Sequence, residues 1–149
     1  PSPNLPNAHA INLYPSLCLF EGTQVSVGRG TGRPFEIYGH PDMKGDYCFT
    51  PRPSASNKYP PQNGKTCYGE NLENIGRLSG FRLDYLLNAH RQLGNGFITS
   101  VSFFDRLAGT DQLRKLITEG KSQTEIRSSW QEDLAAYRQK RQKYLIYKE

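Results

Sequence analysis

Cysteine is scarce in this chain of 149 residues: Cys18, Cys48 and Cys67 form no Cys-x-x-Cys pair and have no nearby histidine partner. A zinc site is therefore not expected. One disulfide, Cys48 with Cys67, would suit an exported protein and leave one thiol over; buried free thiols are the equal alternative, and the redox compartment stays open. No apolar run approaches the ~20 residues of a membrane-spanning helix, so no membrane span is expected. No serine lies in Gly-x-Ser-x-Gly, the local signature of one large class of hydrolases. The run of glycines at 28–32 is not a P-loop, which needs Gly-Lys-Ser/Thr at its end, and there is no internal repeat. Proline is absent beyond residue 61, although ten prolines precede that point.

What remains describes one domain with a modest core. Hydrophobic residues make up 36% of the chain and aromatics 11%, with a mean hydropathy of −0.70; the aromatic content argues against disorder. The net charge of +5 is unevenly placed. Residues 1–137 hold 14 Lys and Arg against 13 Asp and Glu, whereas residues 138–149 hold Arg138, Lys140, Arg141, Lys143 and Lys148 against Glu149 alone. Cations in the last turns of a helix are favoured by its dipole; the alternative is a basic tail that grips an anionic polymer. Nucleic-acid readout would want aromatic platforms among those charges. Tyr137, Tyr144 and Tyr147 are there, but on helical spacing that favours packing.

The proline-rich first part reads as strands and irregular loops, because such proline density breaks helices. Leu17-Cys18-Leu19-Phe20 has the look of a short strand, residues 51–65 of a long surface loop, and Thr66-Cys67-Tyr68 of another short strand. The second half turns helical. Ser79 can cap a helix carrying Leu83, Leu86, Leu87 and His90 and ended by Gly94; Thr110 can cap a short one stopped by Gly120. Ser122-Gln123-Thr124-Glu125 is a capping box. It opens the longest predicted helix, on which Ile126, Trp130, Leu134 and Tyr137 share a face, with Trp130 as a core anchor. The predicted fold is α+β: a small irregular mixed sheet with Pro/Gly-rich loops, followed by packed C-terminal helices.

Chemistry concentrates between Phe20 and Glu36. Gly28, Gly30 and Gly32 alternate with Arg29, Thr31 and Arg33, and Glu21 and Glu36 bracket the run. Glycines let successive amides turn toward one point, which makes an anion-binding concavity. Two guanidinium forks suit a planar carboxylate or a phosphate. The spacing is wrong for a dinucleotide fingerprint, and Pro34 argues against a following helix. The plainer alternative is a glycine-rich turn whose arginines pair with Glu21 and Glu36. Paired carboxylates are also what glycoside hydrolysis uses.

Pro1-Ser2-Pro3-Asn4, Tyr14-Pro15, Phe20-Glu21-Gly22-Thr23, Gly28-Arg29-Gly30-Thr31 and Arg33-Pro34-Phe35-Glu36 together resemble the exo-β-N-acetylmuramidases, a family with NamZ-like and YbbC-like members long catalogued as a domain of unknown function. The resemblance continues through Lys58-Tyr59, Cys67-Tyr68-Gly69 and Phe104-Asp105-Arg106-Leu107-Ala108-Gly109-Thr110 to Tyr144-Leu145-Ile146-Tyr147, with a flavour of the Bacteroidetes members. Glu70-Asn71 departs from it, since the family pattern leads one to expect an apolar residue and an aspartate there. The resemblance implies a two-domain, periplasmic or extracellular enzyme that removes terminal N-acetylmuramic acid from peptidoglycan fragments, without a cofactor. It implies that residues 1–13 are a linker or the exit from a preceding Rossmann-like domain, that residues 14–149 form the C-terminal domain, and that the acid–base glutamate lies upstream. The expected partners are the muramic-acid saccharide and that upstream domain, not nucleic acid. On this view Arg29 and Arg33 clamp the lactyl carboxylate of the sugar, with Gly30, Thr31 and loop amides assisting and with Glu21 and Glu36 orienting hydroxyls or the arginines. The rival from another class is a non-catalytic module that binds cell wall or anionic polymer.

Overall fold

The structure, a computed structural model, describes residues 2–147. The chain begins with a helix rather than a strand. Asn7 accepts a hydrogen bond from the Ala10 amide at 2.8 Å and so caps α1, Ala8–Leu17. Ala10, Leu13 and Leu17 fall on one face of α1 and are fully buried, which is why the segment is helical in spite of Pro15. That proline forgoes one backbone bond and lies on the outer side, where it lines a surface hollow. The Leu17–Phe20 run expected as a strand is instead the end of α1 followed by a 3₁₀ turn, Cys18–Gly22, that drives Leu19 and Phe20 into the core.

Three short strands follow: β1, Ile37–His40; β2, Tyr47–Phe49; and β3, Cys67–Asn71. β3 is central and both pairings are antiparallel, with Gly39 opposite Gly69 and Phe49 opposite Cys67. The loop between β2 and β3 covers residues 51–65, as expected. β1 is buried on both faces: Tyr38 points into the main core, and Ile37 into a small cluster with Phe49 and Cys67. The strand register also settles the cysteines. Cys48 pairs with Tyr68 and Phe49 with Cys67, so Cys48 and Cys67 project to opposite faces of the sheet. All three thiols are free: Cys48 exposed, Cys18 half-buried, Cys67 buried. Burial pushes the Cys67 thiol up to about 11. A thiol reagent at neutral pH is expected to titrate Cys48 at once, Cys18 slowly and Cys67 only after denaturation; finding a single reactive thiol in the denatured, unreduced protein would contradict this.

The helical half contains α2, Asp84–Leu93; α3, Val101–Ala108; α4, Gln112–Thr118; α5, Gln123–Ser129; and α6, Gln131–Gln142. Ser79 does not cap α2, which starts five residues later from Leu83 without a side-chain cap; Gly94, at φ 72°, does end it. Thr110 still accepts from the Gln112 amide at 3.2 Å. The Ser122–Glu125 capping box forms as expected, and it draws the Glu125 carboxyl down to about 2 through the Ser122 amide and hydroxyl. The long helix it opens does not persist. The Ser129 hydroxyl donates to the Ile126 carbonyl, and the Trp130 amide and the Gln131 side chain both donate to the Arg127 carbonyl. These bonds divert the i to i−4 ladder, and the chain breaks at Trp130. Ile126 is fully buried and Trp130 packs partly against the core, 6.4 Å from Phe81 between ring centroids. α6 buries no residue. Tyr137, Tyr144 and Tyr147, expected to pack, are 61%, 69% and 84% exposed; Lys148 of the basic tail lies outside the described residues.

Candidate functional site

The glycine-arginine run forms a tight turn hung on the free side of β1. Ser26 exchanges two backbone bonds of 2.9 Å with Gly39, and the Phe35 amide closes the turn on the Val27 carbonyl at 2.7 Å. Gly28 and Gly30 hold φ of 77° and 80°, where only glycine rests without strain. Gly30 also lies beneath the 51–65 loop: its carbonyl accepts the Arg52 amide at 2.9 Å, and a Cβ there would sit 2.4 Å from the Arg52 carbonyl oxygen. Gly32 has open space around it. The turn satisfies much of itself. Thr31 donates its hydroxyl to the Gly28 carbonyl at 2.7 Å and accepts from the Arg33 amide at 3.0 Å, so Thr31 shapes the turn from within.

The two arginines have different surroundings. Arg29 donates to Glu21, and its guanidinium lies 5.2 Å from the centroid of the Phe35 ring. Phe35 is fully buried at φ 60°, a costly conformation for a bulky residue, and the Tyr14 ring meets it edge-on at 5.0 Å. The Arg29 Nε–H is buried without an acceptor, so the group has donors beyond the one given to Glu21. Burial, reinforced by the Glu21 charge, raises the Tyr14 hydroxyl and the Cys18 thiol above their ordinary values. Both stay protonated at neutral pH, which leaves Glu21 and Arg29 as the charges of this cluster. Arg33 pairs with Glu73, both being more than a third exposed. Glu73 is held by a bond from its amide to Asn71 Oδ1 at 2.9 Å, just beyond β3.

Glu36 keeps other company. It is nearly buried and accepts from Asn7 Nδ2 at 2.8 Å, so it braces the cap of α1 instead of pairing with an arginine. Glu21 and Glu36 therefore have separate partners. Sequence reasoning missed Glu73, Tyr14 and Cys18, which only the register of β3 and the fold of α1 bring to the turn. Cys18 also lines an apolar hollow of about 350 Å³ with Pro15, Leu19, Phe81, Leu107 and Trp130. The Glu70 departure has a local explanation. The hydroxyl of fully buried Tyr38 donates to Glu70, and Asn88 donates to the same oxygen at 3.0 Å. Among the described residues no cluster of His, Cys, Asp and Glu could hold a metal ion, and no helix is long and apolar enough to cross a membrane.

Residues 12–147 match the family described as exo-β-N-acetylmuramidase NamZ, C-terminal. The chain belongs to that family. It is 32% identical to the peptidoglycan β-N-acetylmuramidase NamZ of Bacillus subtilis strain 168, covering 99% of this chain and 40% of that protein. A crystal structure of a DUF1343 family protein from Bacteroides fragilis superposes on the whole chain with a TM-score of 0.90 at 48% identity, over 44% of its own length. A second DUF1343 structure from the same organism matches 99% of the chain with a TM-score of 0.78 at 16% identity and shows the fold alone. The chain thus spans about two fifths of the length of these relatives. The expected likeness to Bacteroidetes members agrees with the 48% match, and the expected α+β class with the observed helices and sheet.

Proposed function

We propose that this chain is the C-terminal, cleft-forming domain of a periplasmic or extracellular exo-β-N-acetylmuramidase that hydrolyses terminal N-acetylmuramic acid from peptidoglycan fragments. The observation that carries this is the near-complete coverage of the chain by a peptidoglycan β-N-acetylmuramidase of which it spans only 40%. The missing portion then supplies the upstream domain and the catalytic acid. This domain contributes recognition of the anionic sugar. N-Acetylmuramic acid differs from N-acetylglucosamine by a lactyl ether ending in a carboxylate, and Arg33 is the cationic group that receives it. Arg33 is suited to this because an exposed ion pair such as Arg33–Glu73 contributes only about 0–1 kcal/mol, so exchanging Glu73 for a ligand carboxylate is cheap. Arg29 is held more firmly by Glu21 and the Phe35 ring, and its Nε–H is left to assist.

The full-length protein is expected to release p-nitrophenol from p-nitrophenyl N-acetylmuramide, and the chain of 149 residues alone to release none. A full-length protein without activity, yet retained on peptidoglycan in a strongly salt-dependent way, would replace this proposal with a non-catalytic wall-binding module.

A further inference from the structure

Glu70 is more than the acceptor that buried Tyr38 requires. The Tyr38 hydroxyl and Asn88 Nδ2 both donate to Glu70 Oε1, the latter at 3.0 Å. Asn88 in turn accepts from Gln92 at 3.4 Å, and Gln92 accepts from the Lys44 amide at 2.7 Å. A run of hydrogen bonds along α2 thus fixes the carboxylate on β3. Burial, reinforced by the bond to Glu70, pushes the Tyr38 hydroxyl well above its ordinary value, which keeps it the donor. A neutral amide oxygen would serve Tyr38 and Asn88 as an acceptor too. What the carboxylate adds is Oε2, which takes neither bond and can only accept.

Glu70 lines a surface hollow of about 490 Å³ together with Arg77, Ser79, Arg82, Asp84 and Tyr85, a size within the roughly 300–1,000 Å³ of small-molecule sites. The wall is built in advance. One face of α1 holds its loop through three side chains: His9 Nε2 donates to the Leu72 carbonyl at 2.8 Å, Asn12 exchanges bonds of 2.7 and 3.0 Å with the Leu78 backbone, and Ser16 accepts from the Arg82 amide at 2.9 Å. Arg82 is locked in turn. Its guanidinium makes a two-pronged pair with Asp84 and lies 5.3 Å from the centroid of the Tyr85 ring. Groups fixed in this way lose little freedom when a ligand binds. The charges of the hollow cancel, Glu70 and Asp84 being balanced by Arg77 and Arg82. A simple ion therefore gains little there, whereas hydroxyl and amide groups, which donate and accept at once, satisfy carboxylate and guanidinium together. We propose that this hollow is a subsite for a neutral N-acetylhexosamine unit, with Glu70 Oε2 accepting from its hydroxyl groups and Arg82 donating to its oxygen atoms. The neutral, hydroxyl-rich class follows from the hollow itself; the choice of an N-acetylated sugar rests on the muramidase reading. The subsite differs in chemistry from Arg33, which takes the charged unit.

Equilibrium titration of the full-length protein with N,N′-diacetylchitobiose, a neutral disaccharide of N-acetylglucosamine, tests this without reference to turnover. Saturable binding is expected, and Glu70→Gln is expected to weaken it about ten- to a hundredfold. The amide oxygen of that variant keeps Tyr38 and Asn88 satisfied, while its nitrogen turns the acceptor left for the ligand into a donor. Its melting temperature therefore stays close to that of the parent. Arg82→Ala removes a side chain that is 48% exposed and is expected to weaken the same binding severalfold, a second readout independent of how Glu70→Gln folds. Absence of saturable binding, or equal affinity in the parent and both variants, overturns the subsite and leaves the muramidase function standing. Binding that is lost with Glu70→Gln in a protein that cleaves no muramide supports the subsite and removes the muramidase reading. Displacement of the disaccharide by a primary diamine such as cadaverine marks a cation site and overturns the proposal.

Discussion

Replacing Arg33 by alanine in the full-length protein is expected to lower its preference for muramyl over glucosaminyl substrates by ten- to a hundredfold. The two sugars differ by one carboxylate, and a charge-assisted hydrogen bond to such a group contributes about 1.5–3 kcal/mol, each 1.36 kcal/mol being roughly tenfold. The free protein loses little, because the pair that Arg33 makes with Glu73 is solvent-exposed on both sides. Its melting temperature should therefore stay within a degree or two of the parent, which separates lost recognition from lost folding. Arg29→Ala is expected to cost a smaller part of this discrimination but also stability, because it strips the Phe35 ring of its cation and leaves the largely covered Glu21 carboxylate without a partner. Arg33→Lys should recover part of the preference, since the charge is kept but the planar fork is not. The measurement is the ratio of kcat/KM for the two p-nitrophenyl sugars. An equal loss on both would show that neither arginine reads the carboxylate.

Gly30→Ala is expected to be the most damaging single change in the turn, at about 2–4 kcal/mol. Two costs add. A side chain at φ 80° is strained wherever it sits, and its Cβ would press on the Arg52 carbonyl at 2.4 Å and the Pro60 ring at 2.7 Å. The 51–65 loop would have to lift away, and with it the bond from the Arg52 amide to Gly30. Gly32→Ala, two residues on, meets nothing within 4 Å and has no positive φ; it should lie within about 0.5 kcal/mol of the parent. Thermal melts of the pair measure the contrast. Equal melting temperatures would mean that the proline-rich loop does not hold this turn.

Several elements were legible because their information is local. The capping box at Ser122, the left-handed glycines that end α2 and α4, and the strand around Cys67 each depend on a few neighbouring residues and on backbone preferences that travel with them. The alternation of glycine and arginine likewise announced a tight, charged turn. Other expectations failed where a distant contact outweighed the local signal. Proline density pointed away from a helix at residues 8–17, yet the buried face of Ala10, Leu13 and Leu17 outweighs the one bond that Pro15 forgoes. Trp130 fitted a continuous helical stripe, but the side chains of Ser129 and Gln131 took the carbonyls that the helix needed.

The sequence by itself determined the family, the α+β class, the helix stops and the existence of a glycine-arginine turn, since all of these are written in residue types at fixed short spacings. Only the tertiary structure decided which carboxylate each arginine meets. Glu21 reaches Arg29 because a 3₁₀ turn follows α1, Glu73 reaches Arg33 from the end of β3, and Glu36 is drawn off to Asn7. Ion pairing acts over a few ångströms in space, and spacing along the chain does not carry that distance until the sheet has set its register.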